Sequence, residues 1–175
     1  RLAGQIPADR VVVCESGVKR HADVRQLRAH ADAFLVGTAL MRAADVPRAA
    51  RRLVHGRFKV CGLTRPQDAR AAWACGATMG GVIFAEESPR RVSLDRAREL
   101  VREAAGLDWV GVFVNQPWGQ VAETARQLGL SVVQLHGEED LAYCASLREA
   151  LPEGCAIWRA WRVRPGEPIP EAEDL

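Results

Sequence analysis

Apolar residues gather in seven short runs: RVVVCESG from Arg10, AFLVGTAL from Ala33, RFKVCGLT from Arg57, MGGVIFAE from Met79, DWVGVFVN from Asp108, SVVQLHGE from Ser131 and CAIWRAWRV from Cys155. They begin roughly 22 to 29 residues apart. Most are continuous Val, Ile, Leu and Phe runs rather than alternating ones, the pattern of parallel strands covered on both faces. Stretches of helical period fill the gaps. HADVRQLRAHA puts Val24, Leu27 and Ala31 on one face. SLDRARELVREAAG predicts a helix capped by Ser93 and closed by Gly106. VAETARQLGL and DLAYCASLREALP behave alike, and Pro152 ends the second. Strand and helix alternating at this interval build right-handed βα units on a parallel sheet, an α/β fold. Two architectures satisfy it: a closed (β/α)8 barrel and a doubly wound sheet.

The polar residues favour the barrel. Small or reactive residues end the runs: Glu15-Ser16-Gly17, Gly37-Thr38, Cys61-Gly62, Asn115, and Gln134, His136 and Gly137. Barrel sites collect residues from many strand ends in this way. A doubly wound nucleotide fold would concentrate glycines after the first strand as G-x-G-x-x-G, and that spacing is absent.

Composition narrows the classes. The 175 residues are enough for one sizeable core, with 48% hydrophobic and 26% charged residues. A net charge of +2 supplies no field for nucleic acid or a membrane surface. The five tryptophans have no interleaved basic stripe, so a stacking platform for bases is not expected. Trp109 and Trp158 are expected to pack between strands and helices. No apolar run approaches a membrane span and no signal peptide opens the sequence, so a cytoplasmic location is expected. Five cysteines at spacings that match no zinc pattern argue for neither a metal nor a disulfide framework. The chain opens on Arg1 and stops in RPGEPIPEAEDL, read as a loop or linker, and both ends read as cut.

Taken together, ESGV, FLVGTALM, KVCGLT, SPRRV, VGVFVN and VQLHGEE, in this order, resemble a known junction. Residues 1–56 resemble the C-terminal end of an indole-3-glycerol phosphate synthase barrel, its last two βα units. Residues 57–175 resemble the N-terminal part of a phosphoribosylanthranilate isomerase barrel, its first five strands. The short HGRFK link resembles the joint in the bacterial bifunctional enzymes of tryptophan biosynthesis. The resemblance implies two TIM-type barrels, each represented in part. It implies a multifunctional isomerase and decarboxylating lyase that needs no cofactor and no metal. The partners implied are phosphorylated small molecules, phosphoribosyl anthranilate and carboxyphenylamino-deoxyribulose phosphate, with no nucleic acid, no membrane and a monomeric full-length protein.

The resemblance also assigns residues. The isomerase reaction is an Amadori rearrangement, in which an acid opens the ribose ring and a base takes the C2 proton. Cys61 matches the base; on its strand alone it reads first as a structural thiol, and the flanking motifs reverse that reading. Arg90 matches the arginine that holds the anthranilate carboxylate, a task suited to a planar guanidinium, with Arg91 next to it. Gln134 and His136 alternate on a strand and so share a face; the family places them near substrate, and Asn115 resembles a site-lining position. Glu15 and Ser16 match synthase substrate contacts, while Gly17, Gly37 and Thr38 match its phosphate cradle. Cys14 is read as a core substitution and Lys19 as a surface charge. The family's acid, an aspartate after the sixth strand, matches nothing before Leu175, so the segment is expected to be inactive alone. Two other readings stand beside this one: a non-catalytic or rearranged remnant in which seven units close into one barrel, and a phosphate-sugar binding module.

Overall fold

The computed structural model describes residues 5–161 and Gly166. The RPGEPIP linker, apart from Gly166, lies outside the described residues. All seven apolar runs contain a strand: β1 (Val13–Cys14), β2 (Ala33–Phe34), β3 (Lys59–Cys61), β4 (Met79–Ile83), β5 (Asp108–Phe113), β6 (Val132–Leu135) and β7 (Ala156–Arg159). The helices are α1 (His21–Leu27), α2 (Thr38–Met41), α3 (Val46–His55), α4 (Pro66–Ala74), α5 (Leu94–Glu103), α6 (Trp118–Leu128) and α7 (Leu141–Ala150). Their ends follow local chemistry. The side chains of Asp45, Ser93 and Asp140 accept hydrogen bonds from the backbone N–H of Arg48, Arg96 and Tyr143 and so cap α3, α5 and α7. Gly129 closes α6 in the left-handed conformation.

Two helix boundaries differ from expectation. α1 stops at Leu27, so Ala31 is not part of its face, and none of its residues is buried. α5 ends at Glu103 with Ala104 as its cap rather than at Gly106. Gly106 meets a packing need instead: a Cβ there would lie 2.6 Å from the Trp73 ring.

The strands form two sheets. β1 pairs with β2, and β3 to β7 form a five-stranded parallel sheet in chain order. The seven units therefore do not share one sheet, which corrects the idea of a single seven-unit barrel. Alternation along the strands decides the architecture of the larger sheet. One face presents Val60, Val82, Trp109, Phe113, Val133, Leu135 and Ile157, which pack with Ala69, Leu100, Val121, Ala125 and Leu147 from α4 to α7. The other presents Met79, Val110, Val132 and Trp158, which cluster with one another and with no helix. A doubly wound sheet would carry helices on both faces; this one carries them on one, as an arc of a barrel does. Trp158 thus lies on the inner face, not between strand and helix as expected, whereas Trp109 is buried under the helices and donates to the Ala104 carbonyl at 3.2 Å. Fully burying Phe113, Leu100 or Leu147 stabilises the sheet–helix layer by roughly 2 kcal/mol each.

α3 ties the two sheets together. Arg48 and Arg52 both pair with the Asp108 carboxylate at the start of β5, the first at 3.4 Å. That carboxylate is 3% exposed. Arg51 donates to the Trp73 carbonyl at 2.6 Å and stacks 3.5 Å above the Trp73 ring. The helix therefore sits across the amino end of the larger sheet and leaves the carboxyl end open. Among the described residues no helix is long and apolar enough to cross a membrane.

Candidate functional site

The carboxyl end of the larger sheet is built by β3, β4 and β6. Lys59 and Cys61 share the inner face of β3 because side chains alternate. Register places Cys61 opposite Gly81 and Lys59 opposite Met79. A Cβ at Gly81 would stand 3.0 Å from both Cys61 Sγ and Lys59 Cε, so the bare backbone of β4 leaves room for both side chains. The Lys59 ammonium donates to Cys61 Sγ at 3.4 Å and to Gln134 Oε1 from β6. Gln134 Nε2 lies 2.7 Å from His136 Nε2. An ammonium only donates, so the Gln134 oxygen must face Lys59 and its NH2 must face the imidazole. His136 Nε2 then accepts, which places the ring proton on Nδ1. Cys61, Lys59, Gln134 and His136 thus form one chain of contacts, with the thiol exposed at its end.

Arg90 reaches the same place from the loop after β4. Its Nη1 donates to the Cys61 carbonyl at 3.3 Å. Gly62, at φ 82°, turns the chain there, and a Cβ on it would lie 2.5 Å from Arg90 Nη1. Arg91 points elsewhere and pairs with Glu86 at 3.5 Å.

Asn115 braces the rim. It adopts φ 52°, and its Oδ1 accepts from Glu138 N at 2.7 Å. Glu139, almost fully buried, accepts from the N–H groups of Asn115 and Gly137 at 2.7 and 2.8 Å. Gln116 donates to the Phe84 carbonyl at 3.0 Å, and the Tyr143 hydroxyl donates to the Gln116 carbonyl at 2.7 Å. These bonds staple the loops after β4, β5 and β6 into one platform. Sequence reasoning missed Lys59 and Glu139. Two-residue spacing from Cys61 was the available signal for the first; a buried acid among loop residues has no local signature.

The other candidates lie together, away from Cys61. Glu15, Ser16, Gly17, Gly37 and Thr38 line a depression of ≈ 580 Å³ at the carboxyl ends of β1 and β2. Lys19 and Arg42 add positive charge to its lining. Lys19 is exposed, in keeping with a surface charge, and its N–H donates to Asp23 at 2.9 Å. Cys14 is half-buried.

Comparison with known proteins gives matches on both sides of the joint. Residues 58–169 match the N-(5'phosphoribosyl)anthranilate (PRA) isomerase family, and residues 1–53 match indole-3-glycerol phosphate synthase. Tryptophan biosynthesis protein TrpCF of Vibrio cholerae is 46% identical over 99% of this chain, which covers 37% of that protein. The Salmonella typhi protein of the same name is 48% identical over 93% of the chain, which covers 36% of it. The chain thus spans roughly a third of the length of these curated relatives. The solved phosphoribosyl anthranilate isomerase of Thermus thermophilus superposes with a TM-score of 0.55 at 33% identity, over 61% of this chain and 52% of its own. A Thermotoga maritima isomerase superposes with a TM-score of 0.54 at 33% identity, over 59% of this chain and 49% of its own. The larger sheet is therefore part of a (β/α)8 barrel, and the chain belongs to the phosphoribosylanthranilate isomerase family.

Proposed function

We propose that this chain contributes to tryptophan biosynthesis as the joint of a fused synthase and isomerase, with residues 1–56 ending the synthase barrel and residues 57–175 beginning the isomerase barrel. In the isomerase reaction Cys61 is the base. Its thiolate takes the C2 proton of the ring-opened aminoaldose, and the C2–H electron pair forms the C1=C2 bond as the C1=N electrons move onto nitrogen. Tautomerisation of the resulting enol-amine gives the aminoketose. Arg90 holds the anthranilate carboxylate, and Gln134 and His136 orient the sugar. Glu15 and Ser16 contact the synthase substrate, whose phosphate sits against Gly17, Gly37 and Thr38 with Lys19 and Arg42 beside it. Both substrates are phosphorylated small molecules. A solved isomerase of the family is complexed with reduced 1-(o-carboxyphenylamino)-1-deoxyribulose 5-phosphate.

The observation that carries this reading is the exposed Cys61 thiol at the carboxyl end of the inner face, with Lys59 on one side and Arg90 on the other. Ring opening needs an acid that these residues do not supply, so the 175 residues alone are expected to show no turnover. The test uses the chain extended to the length of its relatives, with isomerase turnover followed through the loss of substrate fluorescence. Cys61→Ala lowers isomerase turnover by about 10²–10⁴-fold and leaves synthase turnover within about twofold. Wild-type isomerase turnover in Cys61→Ala would overturn the proposal.

A further inference from the structure

We propose that Lys59 is a positioning residue whose ammonium stabilises the anion that forms on Cys61 Sγ, and that Gln134 is the anchor that aims it. The inference rests on the isomerase reading for its purpose, but its geometry stands apart from it. Lys59 is one of two lysines in a chain otherwise basic through arginine. It is half-buried on the inner face, and its ammonium touches two groups, Cys61 Sγ at 3.4 Å and Gln134 Oε1. A long, flexible lysine stem samples many positions unless something fixes its head. Gln134 fixes it from across the sheet, and Gln134 is itself oriented by His136 at 2.7 Å. The missing side chain at Gly81 is the second observation. A methyl group there would press on Sγ and on the Lys59 stem at once, so β4 is bare where these two side chains lie over it.

The chemistry follows from charge. Losing the thiol proton to solvent leaves an anion on Sγ, and a fixed ammonium at this distance favours that anion over the neutral thiol. When the thiolate has taken the substrate's C2 proton, the thiol is neutral again and Lys59 has kept all its protons. The lysine therefore exchanges no proton in this step. Its contribution lies in how much thiolate is present before substrate arrives.

That claim can be tested on this chain without any turnover. Alkylation by iodoacetamide is followed for each cysteine by peptide mapping, and the Cys61 rate is divided by that of Cys75, the other exposed thiol. Lys59→Met is expected to leave less of Cys61 in the thiolate form. The thiolates that remain are intrinsically more nucleophilic, so the net fall in the Cys61:Cys75 ratio is about threefold. The alkylation profile against pH moves to the alkaline side. Lys59→Arg retains most of the wild-type ratio, and Gln134→Leu gives a smaller loss of the same sign. An unchanged ratio and pH profile in Lys59→Met overturns the proposal, as does a fall of equal size in Lys59→Arg. The isomerase reading fails separately: wild-type turnover in Cys61→Ala of the extended chain would sink that reading and leave the alkylation result intact.

Discussion

At the scale of single residues, the site depends on where a Cβ is absent and where protons are held. Gly62 combines a left-handed backbone with the nearest approach to Arg90. Gly62→Ala should destabilise the fold by about 1–2 kcal/mol through the backbone alone and push Arg90 off the Cys61 carbonyl. Urea titration measures the first effect; a wild-type midpoint would contradict it. Tyr143 offers a pH test, because the chain has one tyrosine. Burial, aided by the Glu139 charge, pushes its phenol up to about 12. The fold favours the protonated phenol, so that stabilisation is whole below the ordinary value of about 10 and is lost as pH rises through about 12. Burial also raises the thiols of Cys144 and Cys155, which adds to the alkaline loss with the same sign. Phenolate absorbance in the folded protein should appear only near pH 12; a titration centred near 10 would show Tyr143 to be solvated. The sequence made Cys61, Arg90, Gln134 and His136 readable through short motifs, and the structure brings Cys61, Gln134 and His136 into one contact chain with Arg90 beside it. It hid Lys59 behind the ordinary look of a strand lysine.

At the scale of elements, all seven strands were legible as near-continuous apolar runs, although only β4 and β5 are buried along their whole length. Helix ends were less legible. Gly106 looked like a helix stop, yet it is needed for the Trp73 ring, a partner 33 positions away in the chain. The attachment of α3 was not legible at all, since ion pairs between distant residues leave no local pattern. Asp108→Asn tests that attachment. It keeps the shape of the side chain but removes the charge that Arg48 and Arg52 share. Both arginines are partly solvated, so the cost belongs below the usual figure for a broken buried pair, at about 2 kcal/mol. Thermal unfolding should register it, together with faster tryptic cleavage within α3. Unchanged stability and cleavage would mean that Arg51 on Trp73 is enough to seat the helix.

At the scale of the molecule, the sequence left two sheet architectures open and strand ends tipped the choice toward a barrel. The structure settles it by the one-sided placement of helices. The division into two sheets was not readable, because strand pairing depends on which edges meet and no motif records that. β3 and β7 are edge strands among the described residues, each paired on one side only. Unpaired edges invite association. The chain should therefore elute above its 19.2 kDa mass in a concentration-dependent way, and the form extended to the length of its relatives should not. Light scattering that gives a monomer at every concentration would show that the edges are protected.

The larger sheet follows the order of the chain. Each strand pairs with the one made just before it, from Lys59 against Met79 to Val132 against Ala156, so every pairing closes a loop of about 20 to 30 residues. The entropy lost on adding a strand is then nearly the same at each step, and no pairing waits for a distant part of the chain. Such a sheet can grow vectorially as the polypeptide leaves the ribosome, with every new unit docking on a template already in place.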